Sequence, residues 1–281
     1  MTAATYRVIG ARVRRPRNRA QRWYRRNEPM ALRVLGMLGF LAIWQIGSDA
    51  GFIDSFLFSS PRDILVAGAA EVTVPRFWND VRISATELGL GTALAVVTAV
   101  PLGIAIGWYR RVALSGDPWL NFTNALPRAA LVPLVVLWAG LGVEMKTIIV
   151  FLGGFFSIIL PTVDGVRTVE RQFLDVARSF GAQDRLILTS IVLPGIVPFI
   201  VSGLRVLVGR VLAGVIIAEF YAQTEGLGVM VYKAASNLQM DRMLFGVLIF
   251  TILGIVGYEA VGVLDRRFER WRPALEPEEE A

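Results

Sequence analysis

The chain has 281 residues, 54% of them hydrophobic, and a formal net charge of +6. Several apolar runs approach the roughly 20 residues that cross a bilayer, which excludes a soluble globule. With no Cys and no His there is no thiol nucleophile, no disulfide, no His general base, and no zinc or haem ligation by those residues, so neither a metal nor a cofactor is expected.

Residues 1–30 hold nine Arg against a single acid, Glu28. The first apolar run begins only after residue 30, with no small-residue cleavage site behind it. The segment therefore reads as an untranslocated cytoplasmic tail that either binds anionic lipid or is simply disordered, not as a cleavable signal. The first span is predicted at about 31–48. Ser59 or Ser60 then caps a helix over about 61–72, with Pro61 near its first position and Asp63 in its first turn; at that length it lies at the surface. The second span, about 84–107, carries Gly89, Gly91, Gly103 and Gly107 for close helix approach and Pro101 as an expected kink. Glu87, near its entrance, is read as an interfacial carboxylate.

The third span, about 120–141, contains Pro127, Arg128 and Pro133. Two prolines predict a broken helix, which a bilayer tolerates only where protein or a cavity covers the backbone, and broken helices line transport routes. Two readings stand for Arg128: a cation that snorkels or satisfies backbone carbonyls, and a residue of the translocation path. The turn G-V-E-M-K leads to a fourth span at about 147–163. The fifth, about 196–218, contains Arg205 and Arg210. Five residues separate them, or about 140° around a helix, so they share no face and at least one points into protein or a polar cavity. A sixth span is predicted at about 243–264, followed by a charged tail over 265–281.

Between the fourth and fifth spans, residues 170–194 are polar where crossing a bilayer does not require it. They read as helix, glycine turn, helix, then a proline that starts the next membrane segment. Phe173, Val176, Ala177 and Phe180 recur at helical spacing and give the first helix one apolar face. Gly181 stands where a helix ends in a left-handed residue. Asp184 falls in the first turn of the second helix, where a carboxylate suits the helix dipole. Leu186, Ile187, Ile191 and Leu193 carry that helix to Pro194.

Six spans put both ends of the chain on one side. With Arg33 at the edge of the first span counted and Arg82, Arg128, Arg205 and Arg210, at or within spans, set aside, Arg and Lys divide 20 to 5 in favour of the side that holds the termini and the elbow. That side is cytoplasmic by this count, which accounts for the basic charge without nucleic acid. The sequence contains no G-x-x-x-x-G-K-[ST], so it has no phosphate-cradling loop of its own. Its only candidate bases are Lys146, Lys233 and carboxylates, and no enzyme active site is expected. A conduit driven by another chain fits these features. A secondary transporter or channel without an ATPase would be marked by paired inverted repeats with midplane carboxylates, and no such repeat is visible.

The elbow D-V-A-R-S-F-G-A-Q-D-R-L-I-L-T-S-I-V-L-P resembles the signature of permease subunits of bacterial binding-protein-dependent ABC importers: E-A-A, three residues, Gly, nine residues, I-x-L-P. Asp175, Val176 and Ala177 stand for the first three positions, Gly181 is the glycine, and Ile191, Leu193 and Pro194 close the pattern, with Asp for Glu and Val for the middle Ala as departures. The resemblance runs over about 55–272 and is similar to the nitrate/sulfonate/taurine-type branch. Its marks are S-P-R-D-I-L near Ser60, P-R-A-A-L-V-P-L-V-V-L-W-A-G-L-G from Pro127, G-L-R-V-L-V-G from Gly203, A-E-F from Ala218 and G-L-G from Gly226.

The resemblance implies an all-α membrane protein of the type I ABC importer permease fold in a bacterial cell membrane. Two permease copies would pair, as a homodimer here. Each elbow would dock in a groove on a cytoplasmic ABC ATPase dimer, and an extracytoplasmic binding protein would deliver a small anionic or aromatic solute. Phe173, Asp175, Val176, Ala177, Phe180, Gly181, Ala182, Asp184 and Arg185 are then the coupling residues, with the apolar four facing either the ATPase or the permease body. Pro127, Arg128, Pro133 and Arg210 are the path candidates, and Arg205 and Pro194 are structural.

Overall fold

The computed structural model describes residues 19–268. The first half of the basic tail and the closing acids of the C-terminal tail lie outside the described residues. The chain divides into two units, one ending at Arg62 and one beginning at Asp63.

In the first unit, helix α1 (Arg19–Asp49) begins well inside the segment expected to be tail. Its apolar stretch, Met30–Asp49, is long enough to span, and Leu35 and Ile43 on it are exposed. A helix apolar on its outward surface is one that lipid covers. The short α2 (Ser55–Phe58) is capped by Asp54, whose carboxylate accepts the Phe56 N–H at 2.9 Å.

The second unit is built around α7. After α3 (Pro61–Glu71) come α4 (Pro75–Trp108), α5 (Arg110–Ala125), a 3₁₀ turn (Arg128–Leu131), α6 (Val132–Ala139) and α7 (Val143–Thr168). The elbow follows as α8 (Arg171–Ser179) and α9 (Asp184–Ile187), then a π-helical turn (Leu188–Val192), α10 (Leu193–Ala222), α11 (Leu227–Ser236) and α12 (Met240–Phe268). Helix α7 packs lengthwise between α4 and α10. Small residues set the spacing: a Cβ on Gly91 would fall 2.5 Å from Val150 Cγ1, and one on Gly203 would fall 2.6 Å from the Ser157 carbonyl. Helix α12 packs on α10 and α11, and Arg242 at its start pairs with Glu71 of α3 at 2.7 Å.

Five helices among the described residues are long and apolar enough to cross a membrane, and a sixth crossing exists if one bent pair counts as a single span. That pair, Arg110–Ala125 and Arg128–Ala139, is bent by 90°. It is the broken third span expected from the two prolines, but it begins about ten residues earlier than the expected 120–141. The two prolines act differently. Leu126 and Pro127 are extended, with ψ of 132° and 101°, and the chain breaks there because a residue before proline is driven out of the α region. Pro133 sits in the first turn of α6, where its missing N–H is no loss.

The fifth span also differs from expectation. Asp184–Ala222 is one helical run of 39 residues, about 58 Å at helical rise, with no break at Pro194. The π turn is the reason. The Leu193 N–H donates to the Leu188 carbonyl, five residues back, and this wider turn accommodates Pro194 without ending the helix. The expected proline boundary is therefore a continuous rod that joins the elbow to the span.

Candidate functional site

The elbow is held on one side and open on the other. Leu174 of α8 packs with Leu188, Val192 and Ile196 against Ile104, Trp108 and Val166 at the ends of α4 and α7. On its opposite side Phe173 is 58% exposed, Val176 50% and Phe180 88%, while Ala177 is half-buried. Of the two directions open to this apolar face, the three large side chains point away from the body of the protein. Gly181 has φ of +77°, and its N–H donates to the Arg178 carbonyl at 2.9 Å while the Ala182 N–H donates to the Ala177 carbonyl at 3.0 Å. These two bonds form a Schellman motif, which closes α8 on a left-handed glycine. A Cβ on Gly181 would meet nothing within 4 Å, so the position is open to a partner. Asp184 lies 3.8 Å from Arg178 and Asp175 3.9 Å from it, all exposed, and Arg185 is exposed beside them. The Arg167 guanidinium at the end of α7 donates to both oxygens of Asp117 at 2.8 Å, tying α7 to α5 above the elbow.

The bent third span opens a second place. Arg128 donates to the Gly153 carbonyl at 3.4 Å and to Asn124 Oδ1 at 3.1 Å, and its guanidinium lies 5.0 Å from the Phe156 ring centre. Arg128 and Arg210 line one cavity of about 150 Å³ between the 3₁₀ turn, α7 and α10. Neither has a carboxylate partner among the described residues. Arg210 is 12 residues from the end of α10, about 18 Å along the helix, which is further than its side chain extends. A charge within a span is costly unless protein or a polar cavity receives it, and Arg210 borders such a cavity. Arg205 is different: it pairs with Asp265 of α12 and lies 5.9 Å from the Tyr258 ring. Of the two arginines of the fifth span, one joins helices and the other faces the cavity.

A third cluster was not anticipated. Glu87 is fully buried rather than interfacial, and Lys146, expected in the turn before the fourth span, is 2% exposed in the first turn of α7. The Lys146 ammonium donates to Glu87 at 2.8 Å and to the Glu225 carbonyl at 2.7 Å. Glu219 accepts the Ser84 hydroxyl and the Gly228 N–H; Ser84 Oγ accepts the Leu227 N–H at 2.9 Å; Asp80 accepts the Gly226 N–H at 3.0 Å. Four consecutive backbone groups of one turn are thus held by side chains from α4, α7 and α10. Gly226 has φ of +126°, and a Cβ there would fall 2.1 Å from Glu219 Oε1. The A-E-F and G-L-G marks are two halves of one contact. A signal for it was present in the composition: Lys146 is one of two lysines among 29 basic residues.

Residues 99–270 match the family described as binding-protein-dependent transport system inner membrane component. The taurine transport system permease protein TauC of Escherichia coli is 29% identical over 252 residues, covering 86% of this chain and 92% of that protein. "Putative aliphatic sulfonates transport permease protein SsuC" of Bacillus subtilis is 27% identical over 84% of this chain and 86% of its own length. A "Putative ABC transporter permease protein" of Methanocaldococcus jannaschii is 33% identical over 69% of this chain and 73% of its own length. The chain belongs to the binding-protein-dependent transport system inner membrane component family, and is a multi-pass membrane permease subunit of an ABC importer.

Proposed function

We propose that this permease is driven through residues 170–194 by a cytoplasmic ABC ATPase dimer, which hydrolyses ATP for it. The observation that carries this is the outward apolar face Phe173, Val176 and Phe180, closed by left-handed Gly181, on an elbow that runs without a break into α10. Exposed aromatic side chains beside a tight glycine turn form a compact knob suited to a groove on another protein. Ala177, Ala182, Asp184 and Arg185 flank that knob, and Asp175 and Asp184 hold Arg178 across the turn. Displacement of the knob passes into a continuous helical run of about 58 Å that has no break at Pro194.

With the bent pair counted as one crossing, both termini and the elbow lie in the cytoplasm, in keeping with the 20 to 5 division of basic residues. Two copies of this chain enclose the path as a homodimer in a bacterial cell membrane, with lipid against the exposed apolar faces. An extracytoplasmic binding protein delivers the solute. The route runs beside the broken third span, past Pro127, Arg128, Pro133 and Arg210. The names of the taurine and aliphatic sulfonates relatives make small sulfonates the first solutes to test. Purified permease of Phe180→Asp is expected to insert and stay monodisperse but to lose ATPase copurification and ATP-dependent uptake; unchanged coupling in that variant would contradict the docking role.

A further inference from the structure

We infer that the cavity between the 3₁₀ turn, α7 and α10 is a station for an oxyanion headgroup, a sulfonate or carboxylate carried on a small organic solute. The inference rests on the path proposed above and names its chemistry.

Three observations converge on it. First, Arg128 and Arg210 both border the cavity, and no acid lines it among the described residues. Two like charges facing one small space repel each other, and an oxyanion between them removes that repulsion. Second, the guanidiniums are held differently. Arg128 is oriented by the Gly153 carbonyl, Asn124 and the Phe156 ring, all neutral, so its charge is positioned without being cancelled. Arg210 stands on the long helix that leads back to the elbow. A guanidinium fork matches the planar spacing of two oxyanion oxygens, so the pair suits a sulfonate or carboxylate better than a neutral solute. Third, the space exists because its walls are small. Gly153 and Gly214 sit where α7 and α10 touch, and a Cβ on Gly153 would fall 3.0 Å from the Arg210 carbonyl. Leu152 and Ile217 supply an apolar rim for the solute's carbon end.

The arrangement ties occupancy to coupling. Arg128 is on the broken span and Arg210 on the driven helix, so relative movement of these two elements changes the distance between the two charges. Separation weakens the hold on an anion that both contacted, which releases it. A permanently strong site would trap the solute instead.

The chain's lack of Cys allows a test that needs neither ATP nor an identified solute. Single cysteines are placed at Ala213 and at Ala129, both on the cavity wall. Each purified, reconstituted permease is then treated with methanethiosulfonate reagents of similar size, one bearing an ethylsulfonate group and the other an ethyltrimethylammonium group. The thiolate attacks the reagent's sulfenyl sulfur, forming a disulfide and releasing methanesulfinate. The anionic reagent is expected to react about tenfold faster relative to its rate with free thiol than the cationic one. The preference should shrink in Arg210→Gln, persist in Arg210→Lys, and be suppressed by excess methanesulfonate. Equal rates, a cationic preference, or no reaction with either reagent at both positions overturns the anion station. The comparison with both arginines intact stands even where an arginine variant does not fold. It is also independent of whether the elbow binds an ATPase, so a failed coupling assay and a failed anion station are told apart.

Discussion

Replacing Lys146 with Met tests the buried network under the G-L-G turn most sharply. Lys146 is the one cation buried there among the described residues, and its ammonium serves both Glu87 and the Glu225 carbonyl, at 2.8 and 2.7 Å. Removing one partner of a buried ion pair costs about 3–5 kcal/mol, because the remaining charge is left without compensation. The orphaned Glu225 carbonyl adds roughly 1–3 kcal/mol. The double variant Glu87→Gln/Lys146→Met removes the stranded charge and leaves only the second cost, so it should be more stable than Lys146→Met alone. The assay is the apparent unfolding midpoint of the purified permease in detergent, followed by Trp fluorescence. At about 2–4 °C per kcal/mol, Lys146→Met should lower the midpoint by about 8–30 °C, and the double variant should recover about half of that or more. A double variant as unstable as the sum of the two single ones would refute the reasoning, since independent sites add and coupled ones do not.

Gly226→Ala should be more damaging than Gly228→Ala. At Gly226 the added Cβ meets Glu219 Oε1 at 2.1 Å on a backbone with φ of +126°, whereas at Gly228 it meets Glu219 Oε2 at 2.7 Å and Glu219 Cβ at 3.1 Å on ordinary helical backbone; the yield of monodisperse protein ranks them. At the elbow, Gly181→Asn should be nearly silent because Asn tolerates the left-handed region, while Gly181→Asp should leave insertion intact and abolish ATPase association. If both variants lose copurification, backbone conformation and not the docking surface governs the position; if both keep it, the docking role of Gly181 is refuted. The two arginines of α10 should separate: Arg205→Gln breaks the contact with Asp265 and lowers the unfolding midpoint by a few degrees, whereas Arg210→Gln leaves the midpoint in place and removes uptake.

The elbow was legible in the sequence because everything that defines it is local. The apolar face comes from spacings of three and four residues, the turn from one glycine and the second helix from its first-turn acid. Pro194 misled for the same reason: a proline in a helical pattern reads as a boundary, and the π turn that absorbs it has no local sequence mark. Pro127 and Pro133 announced a break, but which one made it depended on where α6 began. The buried network was out of reach because its bonds join residues 59, 135, 143 and 146 positions apart. Glu87 by itself, one turn inside a span, carries no indication that Lys146 lies against it. Likewise, nothing near Arg128 announces Arg210; the close approach of α7 and α10 brings them to one cavity.

The central claim is that movement of the elbow by an ATPase drives solute past the broken third span. The most direct measurement is ATP-dependent accumulation of a radiolabelled small sulfonate such as taurine in proteoliposomes. These contain the permease with its copurifying ATPase and binding protein, and native chain is compared with Gly181→Asp. The account predicts accumulation that requires ATP and ATPase and is lost in Gly181→Asp although the permease is inserted in equal amount. Accumulation that continues without the ATPase, or at full rate in Gly181→Asp, would contradict it.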